Sequence, residues 1–254
     1  MRRLFAIIVL PLVCGVAAAA EIECSIESDY ELALNERSVI LTRDSGTPQA
    51  IVMRGGRLFV DDRWVELSAA DSRRIAEFER GARAAMPEAA AIGWEAAEIA
   101  FIALGEVAAG FSDDPAVVRS KLAKARAQLD ARLARSATAT RFDSRDIGEG
   151  VAEAVREVVP TLVGDIVGGA LSAAFSGDAS RLERMEGLDA RIEAQVESRA
   201  QELGERGERL CSQLAALDAI DEALEVRVDG QPLNMLEAEV GPGHATASTR
   251  AAAD

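Results

Sequence analysis

Histidine is nearly missing: the 254 residues contain one, His244. It lies in a carboxy-terminal stretch without periodic apolar residues, so no imidazole is expected in the folded part. That excludes Ser-His-Asp hydrolysis and histidine-based metal chemistry. Aromatic residues make up only 4% of the chain, while hydrophobic residues reach 49%, so the core must be built from Leu, Val, Ile and Ala. Basic side chains are in deficit, 28 against 43 acidic ones, for a formal charge of −15. Phosphate neutralisation needs clustered Lys and Arg, which disfavours a nucleic-acid partner. No Gly-x-x-x-x-Gly-Lys loop is present and no dinucleotide fingerprint follows a strand, so no cofactor is expected. Two carboxylates can hydrolyse a glycosidic bond, but the acids show no distinctive spacing. Catalytic, cofactor and metal residues cannot be assigned, and the expectation is a non-enzymatic protein.

What is present begins with a leader. Arg2 and Arg3 precede the apolar run Leu4 to Val13, and Ala17 to Ala20 end it before Glu21. The run is shorter than the ~20 residues that span a bilayer, and small side chains at Ala18 and Ala20 suit a signal peptidase. Residues 1–20 are therefore expected to be removed, which sends the chain to an oxidising compartment. Of the three cysteines, Cys14 sits inside the leader, and Cys24 and Cys211 remain. An even pair in an exported chain predicts a disulfide. Closing so long a loop stabilises by roughly 5 kcal/mol on the chain-entropy argument.

From Cys24 to Leu67, short apolar runs alternate with turn residues: Glu31 to Leu34, Val39 to Thr42, Ala50 to Arg54, Arg57 to Val60 and Trp64 to Leu67. These predict an antiparallel meander over residues 21–67, with Gly55-Gly56 as a two-residue hairpin turn. Ser68 followed by Asp71 predicts a helix start. A helical body is expected over 68–225, with a first helix to about Ala85 and a second from Pro87 to about Gly110. The second carries Glu88, Glu95, Glu98 and Glu106 on one face, read as solvated. Ser112 to Pro115 starts a basic helix over 115–135, with Val118, Leu122, Ala125, Leu129 and Leu133 as its apolar stripe. Residues 136–144 read as a linker, and Asp146 to Phe175 as a helix kinked at Pro160. Its apolar segment 158–175 is expected in the core, where Gly164 and Gly168 would let another helix approach closely. A long helix follows over 178–225, weakened locally at Gly204 and Gly207. A short hairpin is expected over 226–237 beside the amino-terminal meander, and a disordered tail over 238–254.

Two surfaces stand out as candidate binding sites. A seven-residue spacing in the long helix brings Leu182, Val196, Leu203, Leu210, Leu217 and Leu224 to one side. Between those at either end, Arg199 and Arg206 are too polar for a simple two-stranded coiled coil. This is the leading interaction helix, for another envelope protein or a second copy of the chain. The other surface is the basic helix, where Arg119, Lys121, Lys124, Arg126, Arg132 and Arg135 face a single acid, Asp130. Together with segment 158–175 it offers the alternative of an anionic membrane surface, although packing beside the chain's own acidic helices also satisfies it.

Several of these stretches belong together: Glu23-Cys24-Ser25, the run Arg57-Leu58-Phe59-Val60-Asp61-Asp62-Arg63-Trp64-Val65-Glu66-Leu67-Ser68, an Ala-rich helix leading to Met86-Pro87, and Leu210-Cys211-Ser212. The chain resembles the YggN-like periplasmic proteins of Gram-negative bacteria, a family of unknown function, over about residues 21–225. The resemblance implies a periplasmic location and carries over no active site. The expected fold class is α+β: a small amino-terminal antiparallel β-meander followed by a mainly α-helical body with one long carboxy-terminal helix.

Overall fold

The computed structural model describes residues 22–61, 63–112, 114–138, 140–176 and 187–242. The leader 1–20, Leu182 and the tail 243–254 lie outside the described residues. The fold is α+β, as expected. Strand β1 (Ile22–Glu27) comes first, then β2 (Glu31–Leu34), β3 (Val39–Thr42), β4 (Ala50–Arg54), β5 (Arg57–Val60) and β6 (Arg63–Val65). Helix α1 (Ala69–Phe111) and helix α2 (Pro115–Ser136) follow, then β7 (Ala137–Thr138), β8 (Arg141–Asp143) and helix α3 (Ser144–Ser176). The chain ends with helix α4 (Leu188–Glu222), β9 (Arg227–Val228), β10 (Gln231–Pro232) and β11 (Glu237–Pro242).

The meander forms as its alternation dictates. Leu34, Val39, Leu41, Ile51, Met53, Leu58 and Val60 turn inward and are buried, while their neighbours along each strand face the other way. The seven strands of this sheet run in the order β6-β5-β4-β3-β2-β8-β7. At the β4–β5 turn, Gly55 and Gly56 both take positive φ, and a Cβ at Gly56 would lie 2.8 Å from the Ser72 carbonyl oxygen. Glycine is therefore required there. The buried Glu79 carboxylate accepts from both glycine N–H groups, which pins the hairpin to α1. Ile75, Phe78, Ala82, Ala85 and Met86 of α1 join the inner face of the sheet in the main core.

Four expectations need correction. Helix α1 does not break before Pro87 but runs through it. Proline removes one hydrogen bond to the Arg83 carbonyl, yet buried Ala82, Ala85 and Met86 keep the preceding turn packed. The expected linker 136–144 contains β7 and β8, which extend the sheet through Leu34 opposite Phe142. The expected disorder from residue 238 is replaced by β11, which pairs antiparallel with β1 from Ile22 opposite Pro242 to Glu27 opposite Glu237. The ribbon thus joins the carboxy-terminal strand to the strand preceding the meander. Helix α3 passes through Pro160, and its exposed valines contradict a core position. Among the described residues, a Cβ built at Gly164 or Gly168 would meet nothing within 4 Å, so none of them approaches closely there.

Other details follow the residues. Ser68 Oγ accepts from the Asp71 N–H, while the buried Asp71 carboxylate turns to Arg74 and to the Glu225 N–H. Asp114 caps α2 by accepting from Ala116 and Val117. The β9–β10 hairpin has positive φ at Asp229 and Gly230, and α4 is continuous through Gly204 and Gly207.

Candidate functional site

Helix α4 lies antiparallel against α1. The approach is close where a Cβ at Gly81 would sit 2.4 Å from Leu217 Cδ2. Farther along, the seam becomes ionic. Arg206 reaches Glu88 at 2.8 Å, Arg199 reaches Glu95 at 3.6 Å and Arg191 reaches Glu106 at 3.7 Å. The Arg206 hydrogen bond holds the Glu88 carboxyl below its usual range. The glutamate face read as solvated is therefore covered by arginines of the same chain. Two of them, Arg199 and Arg206, are the residues that make the seven-residue stripe look too polar for a simple coiled coil.

The stripe itself faces inward. Val196, Leu217 and Leu224 are buried, Leu203 and Leu210 are half-buried, and Leu210 packs with Leu217 and Leu224 in the main core. Hydrophobic periodicity identifies a buried face but does not say which molecule buries it. Here the chain's own α1 and sheet take that place, which leaves little of the expected interaction helix for a partner.

The basic helix α2 is also partly used within the chain. Arg126 pairs with Glu98 at 2.7 Å and with Asp130 at 4.0 Å, and Lys124 pairs with Glu157 at 3.2 Å. Arg132 is shared among Asp146, Glu149 and Glu153 at 3.3, 2.9 and 3.0 Å. The hydrogen bond from Ser136 and the nearby Arg132 lower the Asp146 carboxyl. Arg119, Lys121 and Arg135 are exposed and have no carboxylate partner among the described residues.

This pairing orients α3 in an unusual way. Its four-spaced acids Glu149, Glu153 and Glu157 turn to α2, and of its valines Val158 enters the small core with Val118, Leu122 and Ala125. Val151, Val155, Val159, Val163 and Val167 are left between 44% and 53% exposed. Steps of four residues advance about 40° around a helix, so these side chains form one gently winding ridge roughly 24 Å long. Contiguous apolar surface of this kind is uncommon on a monomeric protein. In the sequence, Val151, Val155 and Val158 share one apolar side of this helix, and the structure divides them between the small core and the surface. The missed signal was width: the apolar arc is broader than one neighbouring helix can cover.

A third feature sits where the disulfide joins the ends. Cys24 of β1 and Cys211 of α4 are bonded, with Cα atoms 6.2 Å apart. Nearby on the helix, Asp221 accepts from the Met235 and Leu236 N–H groups at 2.6 and 3.2 Å, and Asp218 accepts from Ala238 at 3.1 Å. Asp221 is 3% exposed and its Oδ1 has no hydrogen-bond partner among the described residues. Burial pushes its carboxyl up to about 6 despite the two backbone donors.

Among the described residues no group of three or more His, Cys, Asp or Glu side chains is placed to hold a metal ion, and no helix is long and apolar enough to cross a membrane. A family model described as a protein of unknown function, DUF2884, matches residues 24–236. No curated protein and no solved structure matches the chain.

Proposed function

Since the chain belongs to the DUF2884 family, whose description assigns no activity, we propose on physical grounds that it is an exported envelope protein that works by contact and not by catalysis. The leader pattern of residues 1–20, the Cys24–Cys211 bond and the YggN-like resemblance support a periplasmic setting in a Gram-negative cell. One observation carries the contact reading: α3 spends its carboxylates on α2 and presents a valine ridge outward. The ridge takes over the role that the sequence had suggested for the long helix.

The test is light scattering of the mature, oxidised protein, alone and then with anionic vesicles across a salt series. Association with itself or with vesicles that is lost in Val155→Asp/Val159→Asp, with circular dichroism unchanged, is the expected result. A protein that is monomeric and vesicle-free at every salt concentration, or whose association ignores both substitutions, overturns the reading. The vesicle arm has its own motive, because Arg119, Lys121 and Arg135 stay exposed and unpaired on α2 among the described residues. Binding that weakens with salt and with Lys121→Glu would assign the ridge to an anionic membrane surface.

A further inference from the structure

An antiparallel sheet with one face on the core ordinarily turns polar side chains outward. This sheet turns out two rows of unlike kind. Its register places Ala33 opposite Ile40, Ile40 opposite Val52, Val52 opposite Phe59 and Phe59 opposite Trp64. All five alternate with the buried inner residues, so they form one apolar row across the outer face. The first four are half-buried, and Trp64 is 54% exposed, edge-on to Phe59. Asp143 ends the row beside Ala33, its carboxylate accepting from the Asp146 N–H. Two residues along each strand, at the end where the β2–β3 and β4–β5 turns lie, the same face becomes basic. Arg54 stands opposite Arg57, whose guanidinium lies over the Trp64 ring. Arg141 takes the corresponding place on β8, and Arg37 sits in the β2–β3 turn. All four are exposed, and among the described residues none has a carboxylate partner.

The acids nearby do not cancel these charges. Glu79 is buried on the Gly55 and Gly56 N–H groups, and Glu77 pairs with Arg80 on α1. Asp146, within the field of Arg141, is held by Ser136 and Arg132. At the other end of the strands Glu31 and Asp44 are taken up by Arg145. Arg83 joins the basic end by donating to the Asn35 carbonyl, which among the described residues leaves Glu36 and Glu66 against five arginines, in a chain of overall charge −15. Strands lie about 4.8 Å apart, so Arg141, Arg54 and Arg57 spread along an edge of roughly 19 Å and do not converge on a point. A small anion would touch one or two of them, whereas a plane bearing many anions touches all. An exposed Trp beside arginines is also the composition found at the level of lipid headgroups. We propose that this end of the sheet docks on an anionic bilayer, with Trp64 at headgroup depth and Arg37, Arg54, Arg57 and Arg141 on the lipid phosphates. The same surface repels the acidic remainder of the chain, which fixes the orientation. None of these residues belongs to α2 or α3, so the proposal stands without the valine ridge.

The experiment uses the full mature chain with its native disulfide intact and with Trp94→Phe, which leaves Trp64 as the sole tryptophan. Vesicles of phosphatidylglycerol and phosphatidylethanolamine should shift Trp64 emission to the blue and shield it from acrylamide. Binding should weaken with added salt, and by about tenfold or more in Arg54→Glu/Arg57→Glu, while Arg54→Lys/Arg57→Lys keeps most of it. Circular dichroism checks the fold of each variant, and Arg37→Glu/Arg141→Glu repeats the reversal on a different turn and strand. No binding at low salt overturns the proposal. So does binding that leaves Trp64 emission unchanged or ignores both reversals; if Val155→Asp/Val159→Asp abolishes that binding, the vesicles meet α3 and the reading of the ridge survives. Binding that survives those valine substitutions and is lost on arginine reversal supports the sheet and takes vesicles away from the ridge. Equal affinity for free polyphosphate would show that the arginines need no bilayer, and overturns the proposal as well.

Discussion

The two ends of the molecule are held by different physics. Where the sheet meets α1 and α4, seventeen buried side chains form one cluster, with Val39, Ile51, Met53, Leu58 and Ile75 at zero exposure. Where α2 meets α3, the buried cluster among the described residues is Val118, Leu122, Ala125 and Val158, framed by ion pairs from Lys124, Arg126 and Arg132. Burial of apolar area contributes about 25 cal/mol per Å², whereas an exposed ion pair contributes roughly 0–1 kcal/mol. The first end therefore sets global stability. The second, as far as the described residues go, is the lighter attachment and is expected to open more readily, and it carries the exposed ridge.

The sharpest way to break that contrast is to cut into each cluster. Leu58→Ala should cost about 2–5 kcal/mol in denaturant unfolding, because a fully buried leucine leaves a cavity among tightly packed neighbours. Val158→Ala should cost about 1–2 kcal/mol and speed amide exchange in α2 and α3 ahead of the rest. Equal costs at the two sites would mean that the ends are one cooperative unit. Next in size, replacing Cys24 and Cys211 together by Ala should lower stability by about 2–5 kcal/mol, read as a drop in melting temperature against the oxidised protein.

A pH measurement comes third. The Asp221 carboxyl sits at about 6 in the fold against an ordinary 3.8, so the folded chain holds this proton more tightly than the unfolded one. Stability contributed here falls as pH rises from about 4 to about 6 and stays low above that. Asp221→Asn should flatten this slope in unfolding curves taken across that range. A slope unchanged in the variant would place the titration elsewhere. The smallest effect is expected at Arg132→Ala, within about 1 kcal/mol and shrinking with added salt, since its carboxylate partners Glu149 and Glu153 are mostly exposed. A loss several times larger would show that charge, not the small core, fastens α3.

Local rules made much of the fold legible in the sequence. Gly55-Gly56, Asp114-Pro115 and the alternation through Leu58 and Val60 each have one low-energy reading, and the chain adopts it. Long-range choices were not legible. Pro87 breaks an isolated helix, but tertiary packing on both the sheet and α4 carries α1 through it. The pairing of β11 with β1 brings together residues more than two hundred positions apart, and no periodicity marks such a partner. The covering of two faces was hidden for the same reason. Leu203 to Leu224 and the Glu88 to Glu106 face looked free because a sequence shows a face without its covering. Once α1 and α4 are seen to cover one another, the unmatched surfaces are the α3 ridge and the outer row of the sheet. The row had been in view as alternate residues of the predicted strands.

The bond between Cys24 and Cys211 has a consequence in time. A polypeptide leaves a ribosome or a membrane channel from its amino terminus, so Cys24 emerges 187 residues ahead of the sulfur it must find. No product that ends before Cys211 can make this bond. A cut anywhere within the loop afterwards leaves two peptides still fastened as one particle, which part only on reduction. Oxidation here is a receipt for a chain made at least as far as Cys211, readable on a gel as a difference in mobility with and without thiol.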